Sequence, residues 1–259
     1  MNRTILITTV VVVINPQLSV AEEAEVGWSY QIVVGVEREA AYTGSDVYVT
    51  EAGGLAKATY TAQNGTEWSV GLDGLGVMFR LPKDYEVELT LEYEEGRDNS
   101  DDPILSGFPE VQNTVELQGV LTKEFGAYSV GVGVQTDILN RGKGAVAFVG
   151  VGYETQLTDR LGLSLGADVS FANSEHMMTE VGVSRATATA TGVAAYTPSG
   201  GYKGATIEVG LAYALTERST VYLQASVERY GSNMSDSPLI QTHGSRTNTD
   251  VGLGIGFAF

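Results

Sequence analysis

The 259-residue chain contains no cysteine, only six prolines and two histidines, and few positive charges: 15 Lys and Arg against 32 Asp and Glu, a net charge of −17. Each shortage excludes something. Without cysteine there are no disulfides and no thiolate metal site, and two histidines are too few for an ordinary zinc site. A deficit of basic residues removes the electrostatic footprint that nucleic-acid binding requires. No apolar run reaches the roughly 18 residues of a transmembrane helix. Few prolines beside 32 glycines rule out a collagen-like or Pro-rich disordered chain.

What the chain does contain is alternation. At its end, Val251, Leu253, Ile255, Phe257 and Phe259 fall on one face of a strand, and Asp250, Gly252, Gly254, Gly256 and Ala258 on the other. The same period of two recurs from Trp28 to Val36, Tyr85 to Tyr93, Tyr128 to Val134, Leu161 to Phe171, Ile207 to Tyr213 and Val221 to Val227. One face is apolar, the other small or polar. Trp28, Tyr93, Tyr153, Tyr213, Phe257 and Phe259 stand near strand ends, as an interfacial aromatic girdle requires. Strands of this length suit a tilted membrane-spanning barrel better than a soluble sandwich. The pattern predicts an all-β, antiparallel transmembrane β-barrel, and the terminal Phe resembles the assembly signal of bacterial outer-membrane proteins.

At the other end, Arg3, the apolar run Ile5 to Ile14 and the small residues of Ser19-Val20-Ala21 occur in the order of a secretory signal peptide over residues 1–21. Residues 22–259 would form the barrel, in the bacterial outer membrane, against lipid and lipopolysaccharide. Short connections near Arg80–Asp84, Glu124–Gly126, Leu157–Arg160 and Leu215–Arg218 alternate with long segments at 39–66, 96–111, 138–144, 173–203 and 231–245. With short periplasmic turns and long external loops, this predicts ten strands. Two further segments, 46–61 and 177–187, would give twelve; the first precedes Asn64-Gly65, a strong hairpin dipeptide.

Glu86, Glu88 and Glu92 line one inward face and read as a wet lumen wall. His176, beside Ser174 and Glu175, and His243, near Ser245, lie in long loops and sit in no recognisable nucleophile motif. Asp98, Asp101 and Asp102, with Asn99 and Ser100, are acidic but lack the spacing of an EF-hand. Gly252-x-Gly254-x-Gly256 lies at period two with no following helix, which excludes a dinucleotide fold and leaves room for a plug or bulky neighbours. These readings predict no catalytic, cofactor-binding or metal-ligating residue and no cofactor.

Four loop motifs carry a family resemblance. They are Tyr42-Thr43-Gly44-Ser45-Asp46; Gly96-Arg97-Asp98-Asn99-Ser100-Asp101-Asp102-Pro103 with Leu105-Ser106-Gly107; Gly192 to Tyr196 with Gly200-Gly201; and Asp236-Ser237-Pro238-Leu239 with Gly244-Ser245. In this order they resemble the MltA-interacting protein (MipA/OmpV) family. The chain departs from it at Thr179 to Ser184, where the family often has Y-F-G-V-T aromatics. The resemblance implies a non-enzymatic outer-membrane scaffold of the peptidoglycan machinery, with a periplasmic lytic transglycosylase and a penicillin-binding protein as partners. The alternatives are a narrow, cation-preferring porin-like channel or an adhesin.

Overall fold

The computed structural model describes residues 26–99 and 102–259; the expected signal peptide, 1–21, lies outside the described residues. Twelve antiparallel strands close into one barrel in sequence order, the first pairing with the last. They are β1 (Gly27–Ala40), β2 (Tyr48–Thr61), β3 (Glu67–Gly71), β4 (Gly74–Leu81), β5 (Tyr85–Glu94), β6 (Thr114–Phe125), β7 (Tyr128–Asp137), β8 (Ala145–Thr158), β9 (Leu161–Ala172), β10 (Gly201–Thr216), β11 (Ser219–Tyr230) and β12 (Thr247–Ala258). Closure gives every strand two neighbours, although β2 meets its second neighbour, β3, along only part of its length.

The count is twelve, not the ten favoured by loop asymmetry. Residues 48–61, part of the expected long loop 39–66 but also offered as the alternative strand 46–61, are strand β2, paired along its whole length with β1. Segment 67–79 is two strands, broken at Leu72-Asp73 between Gly71 and Gly74, where Gly74 takes φ +145. Segment 177–187 is not a strand: it spans helix α1 (Ser174–Val181) and the start of helix α2 (Arg185–Thr191). Twelve strands therefore keep the acidic segment on the same rim as the other long loops. Asn64-Gly65 does turn the β2–β3 hairpin, with Gly65 at φ +77 and the Thr66 amide bonded to Asn64 Oδ1 at 3.1 Å.

Alternation sorts the side chains as the sequence implies. Trp28, Tyr30, Ile32, Val34 and Val36 project outward and are about half exposed, as are Leu253 on β12 and Val132 on β7. Aromatic pairs mark the rim that carries both ends of the barrel: Trp28 with Tyr60 at 5.3 Å and Tyr128 with Tyr153 at 4.9 Å. At the opposite rim Arg38 stacks over Tyr48 at 4.3 Å, and Phe171 meets Tyr202 at 5.9 Å. Inward glycines accommodate bulk from neighbouring strands. A Cβ on Gly133 would stand 2.3 Å from the Phe148 ring, and one on Gly256 2.7 Å from Tyr222. The Gly252–Gly256 series is thus wall geometry.

The seam between first and last strand is fastened at both ends. Tyr30 and Phe259 exchange both backbone hydrogen bonds at one rim. At the other, Ser45 bridges to Gly244, and Asn248 accepts from the Gly44 amide and donates to the Ser45 carbonyl.

Candidate functional site

Among the described residues, the large apolar side chains that are fully buried lie outside the barrel wall. Leu105, Met177, Val181, Val183, Met234, Leu239 and Ile240 are each at most 1% exposed, and all lie in loops at the rim opposite the termini. They form two apolar clusters. One joins Ala41, Tyr42, Leu105, Phe108, Val183, Val193 and Leu239. The other joins Met177, Val181, Met234 and Ile240 to the top of the wall at Ala172 and Tyr230. Each side chain so buried contributes about 1.5–3 kcal/mol, which offsets the cost of ordering the loops. The outer face of the strands needs no such core because lipid covers it. The result is a folded cap across the barrel mouth.

Local sequence dictates the cap's short elements. Asp102 accepts from the Ile104 amide at 2.9 Å and caps a single 3-10 turn at Pro103–Leu105, with Pro in the first turn. Asn173 caps α1 by accepting from the His176 amide at 2.9 Å. Ser184 caps α2, which ends at Gly192 in the left-handed region, φ +78. Two further helices, α3 (Ser232–Ser235) and α4 (Pro238–His243), follow β11, and Ser237 caps α4.

Polar side chains then tie the loops together. Arg97 donates to the carbonyls of Glu180 at 2.9 Å and Thr179 at 3.2 Å. Thr43 donates to Glu180 Oε2 at 2.5 Å. The buried Ser237 hydroxyl donates to the Val181 carbonyl at 2.6 Å. The Tyr42 hydroxyl donates to the His243 carbonyl and that of Tyr196 to the Asn233 carbonyl, each at 3.0 Å. All four motifs that carry the family resemblance therefore meet here. The departure at Thr179–Ser184 falls at the centre: aliphatic Val181 and Val183 enter one cluster each, and Val183 pairs with Tyr196 as an isolated bridge.

Below the cap the wall is acidic. Glu86, Glu88 and Glu92 of β5 point inward as expected, joined by Glu37, Glu116, Glu154, Asp168, Glu208, Glu228 and Asp250 from other strands. Lys57 of β2 also points inward, opposite Gly71, and three other inward cations are paired. Arg80 bonds Glu67 at 2.8 Å and Glu86 at 3.2 Å. Lys143 bonds Glu94 at 3.1 Å and also the Glu95 carbonyl. A register shift in β10 between Tyr202 and Gly204 turns Lys203 inward, where it meets Glu228 at 2.6 Å. The Lys203–Glu228 contact had no signal in the sequence, since it depends on register.

Of the two histidines, His176 is built into the cap, whereas His243 is exposed and offers its backbone carbonyl to Tyr42. His176 Nδ1 bonds the Lys143 carbonyl at 2.9 Å, and its buried Nε2 has no partner among the described residues. Burial pushes its pKa down, so the ring is neutral at pH 7. Burial pushes the Glu180 carboxyl up, but His176, Arg97 and the Thr43 hydroxyl outweigh it and hold it below the ordinary value. Burial and the nearby Asp102 carboxylate raise the Tyr42 phenol to about 12. Of the acidic loop, Asp102 is spent on a cap, and Asp101 lies outside the described residues. No group of three or more His, Cys, Asp or Glu side chains among the described residues is placed to hold a metal ion.

Comparison with known proteins agrees with this architecture. Among solved structures, an outer-membrane channel of Pseudomonas putida F1 superposes with a TM-score of 0.54 at 12% identity, covering 92% of this chain and 97% of that one. The translocator domain of the autotransporter NalP from Neisseria meningitidis gives 0.49 at 10% identity, over 92% of this chain and 90% of that one. The NanC porin gives 0.46 at 11%, over 88% and 98%. At such identities only the first speaks to the fold, and it is again a barrel of the outer membrane. No curated protein matches the chain. The family model described as MltA-interacting protein MipA matches residues 32–259, from the first strand through the cap motifs to the terminal Phe. The chain is a bacterial outer-membrane β-barrel that belongs to the MltA-interacting protein MipA family.

Proposed function

We propose that this barrel is a non-enzymatic interaction protein, a scaffold of the cell envelope, and not an open pore. The folded cap carries the reading. A mouth packed with Leu105, Met177, Val181 and Leu239 is built to stay closed. In this reading the cap faces outside, the rim with both termini faces the periplasm, and residues 1–21 are removed on export. Neither the family nor the barrel fold is of an enzymatic type. The family's name, MltA-interacting protein, makes a lytic transglycosylase the first partner to test, with a penicillin-binding protein second. The docking surface would be the turn rim at 62–66, 82–84, 126–127, 159–160 and 217–218.

The test is affinity capture with the full mature chain from solubilised envelopes. Recovery of a murein transglycosylase, lost on substituting the turn-rim residues Arg160 and Arg218, supports the scaffold; recovery of none counts against it. The acidic wall supports a second reading, a narrow cation-preferring channel. Planar-bilayer recordings separate the two: cation-selective steps favour the channel, and silence favours the scaffold.

A further inference from the structure

The barrel wall is incomplete on one side. Strand β2 pairs with β1 along all of Tyr48–Thr61 but with β3 only from Lys57 to Thr61, because β3 has five residues and the chain turns back at Leu72-Asp73. The last contact between β2 and this hairpin is the Leu72 amide on the Ala56 carbonyl at 3.1 Å. On the far side, the Asp73 carbonyl accepts from Tyr93 of β5 at 3.2 Å. Above the hairpin no strand lies opposite the upper half of β2, and β5 itself ends at Glu94, one residue beyond Tyr93.

The backbone groups at this edge can be identified. Since the Ala56 carbonyl faces β3, the groups of Gly54, Ala52, Thr50 and Tyr48 face the same way, while those of Leu55, Gly53 and Glu51 serve β1. Among the described residues, no strand pairs with this edge. It also lies at membrane depth. Gly54 and Ala52 stand opposite the lipid-facing Val34 and Val36, between the Trp28–Tyr60 pair at one rim and the Arg38–Tyr48 stack at the other. Hydrocarbon cannot satisfy such groups; open backbone at that depth survives only against protein or a polar opening. A second copy of the chain cannot supply the missing strand. A two-fold axis along the membrane normal would cross two tilted β2 strands, not align them.

We propose that this gap is a lateral window joining the acidic wall to the half of the bilayer nearest the cap, and that it takes amphiphiles with a cationic head. Its sill is Asp73, close enough to Glu92 of the inner wall to interact with it electrostatically. Its outer frame is Ala52, Gly54 and Leu72, small or apolar, so an alkyl tail stays in lipid while the head reaches the carboxylates. With the mouth capped, the window is a sideways way in.

Two measurements on the mature chain in lipid nanodiscs test this. In residue-resolved hydrogen exchange, the amides of Ala52 and Gly54 exchange about 100-fold faster than those of Gly53 and Leu55; equal protection means the edge is paired and overturns the window. In electron paramagnetic resonance, a spin-labelled alkyltrimethylammonium is immobilised about fivefold more than the matched alkyl sulfate, and the difference vanishes in Asp73→Asn/Glu92→Gln. Equal immobilisation of both probes, or a preference that survives the double substitution, overturns the cationic assignment. Heat-modifiable gel mobility verifies that the variant is folded, and the exchange measurement on the unaltered chain needs no variant.

Discussion

Arg97 closes the C-terminal end of α1, donating to the Glu180 carbonyl at 2.9 Å from 83 positions earlier in the chain. A guanidinium at a helix C-terminus meets the last carbonyls and the negative end of the dipole together. Replacing it with Ala should weaken the cap by about 1.5–3 kcal/mol, the range for hydrogen bonds to a charged group, while the strands stay paired. Amide exchange in α1 should accelerate about tenfold or more, with β8 and β9 unchanged. Arg97→Lys should restore only part of it, because an ammonium lacks the fork.

Ser237 has two jobs, capping α4 and donating to the Val181 carbonyl while fully buried. Ser237→Ala leaves that carbonyl without its hydroxyl donor and the helix without its cap, a loss of about 2 kcal/mol. Proteolysis of the 173–200 loop, timed against the intact barrel, checks it: cleavage no faster than in the parent chain would refute the estimate.

Gly44 and Gly65 form a controlled pair. Both take φ near +78, but a Cβ on Gly44 would stand 2.5 Å from Ile240 Cδ1, whereas one on Gly65 meets nothing within 4 Å. Gly65→Ala should cost about 1 kcal/mol of backbone strain. Gly44→Ala adds overpacking against a buried Ile and should cost about 2–4 kcal/mol. Thermal unfolding of the two variants in the same detergent tests the ranking.

The cap should loosen with acid in two stages. His176 titrates below its ordinary 6.5 in the folded cap, so the unfolded loop binds the proton first and stability is lost as pH falls beneath about 6.5. Glu180, held below 4.5, has the same sign and acts lower. Tyr42, raised from 10.0 to about 12, acts oppositely: its contribution is full below pH 10 and is lost as pH rises towards 12. Protection of the cap amides, corrected for the intrinsic pH dependence of exchange, should therefore be highest between about pH 7 and 10. In His176→Gln the first acid step should disappear and the Glu180 step remain.

Strands whose outward residues are large and apolar were legible in sequence, as Trp28 to Val36 and Val251 to Phe259 show. Strand β2 was not. Its lipid face reads Ala52, Gly54, Ala56 and Ala58, and its one large aliphatic in that stretch, Leu55, points inward, so alternation is muted. The β3–β4 break does carry a mark: outward apolar residues fall at even positions through Leu72 and at odd positions from Leu75, a phase shift that one continuous strand cannot hold. The cap was visible only as motifs. Thr43 and Glu180 are 137 positions apart, and no local pattern announces their bond. Helix α1 escaped because its alternating Val181 and Val183 belong to a helix end and the bridge beyond it.

The paired ends of the seam bear on how such a chain reaches its final form. Strand β12 is the last to be made and must find β1 across the whole circumference. A slip of one residue would turn every side chain of β12 to the wrong face. Tyr30 with Phe259 and Gly44 with Asn248 act as two far-apart fiducials, and only one register satisfies both. Because the second mark lies within the cap, a barrel sealed out of step could not assemble its lid. The lid thereby proofreads the ring beneath it.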